Sequence, residues 1–287
     1  TLLQTATGAG VVINKNIIID FGGFTYTVNQ AVGSSGTETL GFQILKDNYV
    51  TLMNGTLTST AVTSGKEVKM LIQNYANLTL TDMNLDDATE HIQYVLSNNS
   101  GASNINGATS ITTDKVAFDV YDYTAGGYAL PEVNVNTTGI IDGKIEVSES
   151  ISNNLNIKDG SFTNPIAEAW CAVGYIPTTE VVDGTTYNTV KVGKYVARNT
   201  TTGQGYETLV EAVEAAAADQ EVKLLADAAG AGLKINKDIT IDFGGNTYTV
   251  NQAVGSTGTE TLGFQILKDN DVTLKNGTLT STTPVVA

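Results

Sequence analysis

The sequence is poor in the residues that build compact chemistry. Its 287 residues include one cysteine, one histidine, one arginine, one tryptophan and four prolines. A single Cys171 excludes an internal disulfide, and a single His91 excludes a metal cluster of the His/Cys kind. Cys171 lies in EAWCAVGY among apolar neighbours. No His, Lys or Arg stands close by to lower its pKa, so it reads as a buried structural thiol. His91, in DDATEHIQY, reads as a surface or turn residue. Basic residues are also scarce: 15 Lys+Arg against 30 Asp+Glu give a net charge of -15, which repels phosphate backbones and argues against a nucleic-acid partner. No run of 18 apolar residues provides a membrane span. The first residues lack the zones of a signal peptide, but the chain opens inside a repeat, so this says nothing about a leader.

What is present is a hydrophobic content of 41%, enough for a globular core, and a long-range duplication. Residues 8–60 and 230–282 match at 45 of 53 positions, with an offset of 222. GAGVVINKNIIIDFGG answers GAGLKINKDITIDFGG, and both copies end in NGTLTST. Such a repeat predicts a window of a tandem array, or a subunit that continues into its neighbour. Both readings are architectural rather than catalytic.

Short segments with apolar residues at every second position recur throughout, each running into a turn rich in Asn, Asp and Gly. NIIIDFGG, NYVTLMNGTLTS, ANLTLTDMNLDD and NNLNIKDGSFTN are examples. The alternation predicts strands with one buried face, and the turn residues tolerate positive φ. Steps of 28 residues from Asn54 to Asp82 and 17 from Asp142 to Asp159 fit a parallel β-solenoid with turns of varying length, about six coils between residues 10 and 165. Asn and Thr side chains are expected to hydrogen-bond from coil to coil at the ~4.8 Å strand spacing.

Residues 173–199 hold two alternating runs around turns and predict a hairpin linker. The helix signal is ETLVEAVEAAAAD, predicting a helix over 207–218. Thr208 and Glu211 form a capping box, and Leu209, Val213 and Ala216 form a narrow apolar stripe. Placed just before the second copy, it is the expected cap for an open solenoid end. The predicted organisation is therefore a first β-helix over 1–172 that begins mid-repeat, a hairpin linker over 173–204, and over 205–287 a capping helix with the first coils of a second copy.

The order of a Tyr-Val-Ala strand, GYETLVEAVEAA, KLLAD and NKDITIDFGGNTYTV resembles the pectin-lyase-like right-handed parallel β-helix modules of large bacterial and archaeal surface proteins. DGSFTNPIAEAWCAVGYIP followed by DGTTYNTVKV is similar to the way such modules close. The resemblance covers essentially the whole chain. It implies an adhesin-like or repeat-array component, extracellular or at the cell surface, rather than a particular reaction.

Enzymes also use this fold class. Polysaccharide lyases of this architecture need a cationic base near calcium-binding carboxylates, yet Arg198 lies before the cap helix rather than on a coil. A hydrolase needs clustered aspartates. Asp86 and Asp87 are the adjacent pair, and a solvated turn is the better reading of them. Carboxylates and Asn carbonyls crowd the turns, as hard-oxygen ligands for a structural calcium would, without an EF-hand or nonapeptide pattern. No cofactor is expected. Asn-x-Ser/Thr triplets occur at Asn54, Asn77, Asn98, Asn136, Asn199 and Asn276, and matter only in an organism that glycosylates.

Where the copies differ, Val12, Ile18, Phe24, Tyr49 and Met53 face Lys234, Thr240, Asn246, Asp271 and Lys275. Apolar residues replaced by polar ones in the sister copy point to a covered patch, so the five are the candidate interface. Inward positions are expected at Ile13, Ile17, Ile19, Val50 and Leu52 and at their counterparts Ile235, Ile239, Ile241, Val272 and Leu274. The first copy starts without the helix that precedes the second, and the second stops at Ala287 before the coil that follows in the first, so its terminal face is expected to expose apolar side chains and a row of unpaired backbone groups. A head-to-tail contact that continues the solenoid is therefore expected, with the stripe buried against a linker or neighbour. The expected function is a structural or adhesive repeat of a surface or filament-forming protein. The runner-up binds or cleaves carbohydrate, with Tyr side chains as stacking platforms for surface glycans.

Overall fold

The structure is a computed structural model and describes residues 1–35, 38–63, 66–89 and 91–283. Ala287, where the second copy stops, lies outside the described residues. Strands dominate, as the all-β expectation requires. The chain forms two compact units, Thr1–Val192 and Gly193–Ala287.

In the first unit the alternating segments stack as three parallel ladders. On the first, Ile17, Val50, Leu78, Ser103, Val133 and Leu155 pair in succession. Two residues on, Ile19, Leu52, Leu80, Ile105, Val135 and Ile157 do the same. The second ladder runs Ala6, Tyr26, Leu57, Leu85, Ile111, Ile141 and Phe162. The third runs Val11, Phe42, Ile72, Leu96, Phe118 and Ile145. Inward side chains from all three meet in one core, because the period of two sends every second residue the same way.

Successive rungs of the first ladder are 22 to 33 residues apart. The 28-residue step from Asn54 to Asp82 is a layer step. Each follows paired Met53 and Thr81, and each bends the chain with positive φ, 59° and 54°. The 17-residue step is not. Asp142 pairs with Thr112 on the second ladder, whereas Asp159 pairs with Asn136 on the first. Both aspartates precede a glycine with positive φ, so two bends of different origin carry one local signature.

The hairpin is antiparallel from Tyr175↔Val192 to Val182↔Thr185, closed by Asp183 and Gly184, both at positive φ. Asn188 pairs with Phe162, and the Ser161 hydroxyl donates to Glu180 at 2.6 Å. These bonds make the hairpin part of the first unit, so the predicted 173–204 linker divides at Val192.

The second unit repeats the first unit's pairing with the offset of 222. Ile17↔Val50 becomes Ile239↔Val272, Tyr26↔Leu57 becomes Tyr248↔Leu279, and Val11↔Phe42 becomes Leu233↔Phe264. Even the tyrosine hydroxyl bonds recur, Tyr26 to the Ala9 carbonyl at 2.8 Å and Tyr248 to that of Ala231 at 2.7 Å.

Burial differs between the copies because their edges differ. Ile13, Val50 and Leu52 are buried, but Ile17 and Ile19 only partly, since among the described residues their strand pairs only with residues 50–53. Ile239 and Ile241 are buried between Gln220–Leu224 and Val272–Lys275. Leu274, the counterpart of Leu52, is 40% exposed, as expected for an apolar residue on the terminal face, because among the described residues its strand has a neighbour on one side only.

The helix spans Leu209–Ala215, with Thr208 as N-cap and a capping box to Glu211. Leu209, Ala212, Val213 and Ala216 enter the second unit's core. It stops three residues earlier than predicted. Ala216 is extended, Asp219 turns at φ 64°, and the Lys237 ammonium takes the freed carbonyls of Glu214 and Ala216.

Candidate functional site

The outward side of the third ladder in the first unit carries polar residues in register: Gln43, Gln73, Ser97, Asp119 and Glu146. Gln43 donates to Gln73 at 3.2 Å, an amide ladder of the expected kind. Beside it Met70, Tyr94 and Val116 pair in turn. Two bends bring further tyrosines. Tyr75 follows the strand Met70–Asn74, its amide held by the Ile44 carbonyl at 3.0 Å. Tyr121, Tyr123 and Tyr128 lie on the loop that leaves Ser110–Val120.

The rings converge. Tyr75 lies 4.8 Å from Tyr128 and 6.0 Å from Tyr123 between centroids, and Tyr123 lies 5.3 Å from Tyr128 and 6.2 Å from Tyr121. The loop is pinned rather than free. Asp122 accepts from the Thr124 amide at 3.0 Å, its hydroxyl at 2.6 Å and the Ser150 hydroxyl at 2.8 Å, which holds the Asp122 carboxyl below the usual carboxylate range. Ser100 donates to the Ala129 carbonyl at 3.0 Å. Three hollows of about 580, 240 and 250 Å³ run together here, and Tyr75 lines all three.

Electrostatics in the groove follow from burial. Asp119 accepts from the Asn98 amide at 2.9 Å and the Ser97 hydroxyl at 3.2 Å, yet desolvation pushes its carboxyl up to about 7, with Glu146 adding to the rise. Burial likewise raises the Tyr75 and Tyr94 hydroxyls, with Asp119 adding to both rises. Flat rings, amides, hydroxyls and a protonatable acid along one groove can stack on and hydrogen-bond a polyhydroxylated ligand.

A second cleft, of about 690 Å³, lies between the second ladder's outer side and the hairpin, with Asp142, Asp159, Glu180 and Tyr187 on its walls. Among the described residues no three His, Cys, Asp or Glu side chains group as a metal site.

The residues singled out in the sequence fall elsewhere. Val12, Ile18, Phe24 and Tyr49 are exposed and Met53 partly so. They do not share one face: Ile18, Tyr49 and Met53 lie on the first ladder, Val12 pairs with Gln43 on the third, and Phe24 sits at a bend. Thr208, Leu209, Glu211 and Val213 belong to the second unit's helix. Asp86 and Asp87 diverge: Asp86 is half-buried at a strand end, and Asp87 turns inward to accept from the Thr113 hydroxyl at 3.2 Å. His91 is exposed. Cys171 is half-buried, its thiol pushed up to about 11 by desolvation and Glu168. Arg198 donates to the Gly203 carbonyl at 2.6 Å and lies over the Tyr195 ring. The tyrosine groove itself was not located from sequence. Its one local signal is YDYTAGGY at 121–128, three tyrosines around a Gly-Gly bend.

Comparison with known proteins finds no matching family model, no matching curated protein and no matching solved structure.

Proposed function

We propose that the chain is part of an extracellular or cell-surface repeat protein of the pectin-lyase-like right-handed parallel β-helix kind, a structural and adhesive element whose tyrosine groove binds glycans. The three parallel ladders and their repetition in the second unit support the β-helix and array parts of this reading. The observation that carries the adhesive part is the ring cluster of Tyr75, Tyr123 and Tyr128, held by a pinned loop beside the polar rungs. Stiffness comes from the continuous backbone ladders, and recognition from the side face. The test is titration of a panel of neutral and acidic oligosaccharides by saturation-transfer NMR and calorimetry. Binding is expected, weakened about fivefold or more by Tyr128→Ala, the loss of one aromatic contact of ~1 kcal/mol or more. Absence of saccharide binding across the panel overturns the reading.

One observation favours a second reading, polysaccharide cleavage. Asp119 and Glu146 are opposite each other on adjacent strands, and one of them holds a proton near neutral pH, the arrangement an acid/base carboxyl pair needs. Turnover of a polysaccharide that disappears in both Asp119→Asn and Glu146→Gln would select it.

A further inference from the structure

The smallest of the three tyrosine-lined hollows, about 240 Å³, is bordered by Tyr75, Tyr94, Tyr121 and Tyr123 and has Asp119 on its wall. Its volume lies below that of sites for drug-sized ligands and admits about one sugar ring. Asp119 is 8% exposed, with one hydrogen bond at each oxygen: the Asn98 amide donates to Oδ1 at 2.9 Å and the Ser97 hydroxyl to Oδ2 at 3.2 Å. A carboxylate oxygen accepts about two bonds, so both keep a lone pair for a further donor. Glu146 stands opposite Asp119 on the adjacent strand and is a hydrogen-bond partner of Tyr94. Among the described residues that wall the hollow there is no Lys, Arg or His. Lys144, the one lysine of the Glu146 strand, pairs with Val116 on another rung, Lys69 is bridged to Glu67, and Lys46 lines the other two hollows beside Asp47. Neither Asp119 nor Glu146 forms an ion pair among the described residues, although burial ordinarily brings a carboxylate a cation. Desolvation first, with the Glu146 charge adding to it, keeps a proton on Asp119 up to about 7. A ligand cation set between the two carboxyls offsets both effects and takes that proton's place.

We propose that this hollow is the subsite for an amino sugar, a 2-amino-2-deoxy unit whose free ammonium lies between Asp119 and Glu146, so that the groove prefers glycans with free amino groups to their N-acetylated and uronic counterparts. The proposal rests on the glycan-binding reading above. An ammonium brings three donors and a charge, which suits the open lone pairs of Asp119 and the Glu146 carboxyl together. Acetylation removes the charge and adds bulk where about one ring fits. A uronate sets a third carboxyl beside two that already disfavour each other's charge. Neighbouring sugar units lie in the adjoining hollows, where Gln43, Asn48 and Tyr128 offer amides and a ring.

The test titrates the full chain by calorimetry with a glucosamine tetramer, its N-acetylated counterpart and a galacturonic acid tetramer, at about pH 7, where an amine is largely charged. Expected is binding of the glucosamine tetramer about tenfold or more tighter than of the N-acetylated one, with the uronic tetramer weakest. The ratio of the first two affinities should fall toward one in Asp119→Asn and in Glu146→Gln. Tyr128→Ala changes a ring outside this hollow and should weaken both ligands while keeping their ratio. A ratio near one in the parent chain overturns the proposal. So does a tenfold ratio that survives both acid substitutions, which would mark attraction to the net charge of -15 rather than a subsite. If the N-acetylated tetramer binds and responds to Tyr128→Ala but the amine brings no gain, only this inference fails; if none of the three ligands binds, the glycan-binding reading fails with it.

Discussion

Asn74 and Asn98 stand one above the other inside the first unit, the Asn74 side-chain amide donating to the Asn98 side-chain oxygen Oδ1 at 2.7 Å. Neither is exposed. The rung above them is Ile44 and the rung below Val120, so a two-layer polar ladder interrupts an apolar one. Every side of it is satisfied. Asn74 also donates to the Ala76 carbonyl at 2.8 Å and accepts from the Ala76 amide at 3.0 Å. Asn98 donates to the Glu132 carbonyl at 2.9 Å and accepts from the Ser103 hydroxyl at 2.8 Å. These bonds tie three coils at a bend, where an aliphatic rung would leave buried backbone carbonyls without donors.

Asn98→Leu is therefore expected to destabilise the first unit by about 2 to 4 kcal/mol, because it removes the acceptor of the buried Ser103 hydroxyl, a donor to the Glu132 carbonyl and one of the acceptors of the Asn74 amide. Adding Asn74→Leu should cost less than its single effect, since one broken partner is already lost. Trp170, packed at the edge of that core, reports the transition in urea by fluorescence. A single mutant within a few tenths of a kcal/mol of the parent contradicts the ladder's role.

In the second unit, Val213 is buried in the same hydrophobic core as Leu209, Val222 and Leu224. Val213→Asp should cost several kcal/mol. Thr208→Ala, which removes the capping box alone, should cost about 1 kcal/mol. Hydrogen exchange at Gln220–Leu224 and Ile239–Asp242 separates the two. The Asp variant should lose protection there and the Ala variant should largely keep it. An Asp variant that keeps it contradicts the capping role.

Which parts of this were legible in the sequence follows from range. Alternation in NIIIDFGG and NYVTLMNGT is local, and so is the capping box of Thr208 and Glu211, and both produced the elements they signalled. The groove is not local. Tyr75, Tyr94, Tyr123 and Tyr128 meet only because coils of unequal length stack, and those lengths were misread where Asp142 and Asp159 share an Asp-Gly signature. Leu274 was legible from the repeat: it matches Leu52, but among the described residues it lacks the covering strand that pairs Leu52 with Leu80, so its exposure was expected. Asp119 alternates with Phe118 and Val120 and so belongs outside. Its burial comes from the groove residues around it, Tyr75 and Tyr94 with Ser97 and Asn98, not from its own strand.

That burial gives Asp119 a measurable pH signature. Its carboxyl is pushed up to about 7 in the folded chain from the ordinary 3.8 of an aspartate, driven first by desolvation and opposed by the Asn98 amide and the Ser97 hydroxyl. The titratable groups facing it are Glu146, Tyr94 and Tyr75, none of them cationic. Below pH ~4 the acid is protonated in both folded and unfolded chains, and its contribution to stability is fully present. As pH rises toward 7 the unfolded chain ionises first, so the folded state loses stability, and the loss is complete once the folded carboxyl has ionised as well. At ~1.4 kcal/mol for each pKa unit, the loss amounts to a few kcal/mol. Asp119→Asn keeps an acceptor for the Asn98 amide and removes the titration. Its urea midpoint, followed by Trp170 fluorescence, should therefore decline less than the parent's between pH 4 and 8, and at pH 8 the variant should be the more stable of the two. Parallel pH profiles for parent and variant would show that Asp119 is ionised at its ordinary value and open to water.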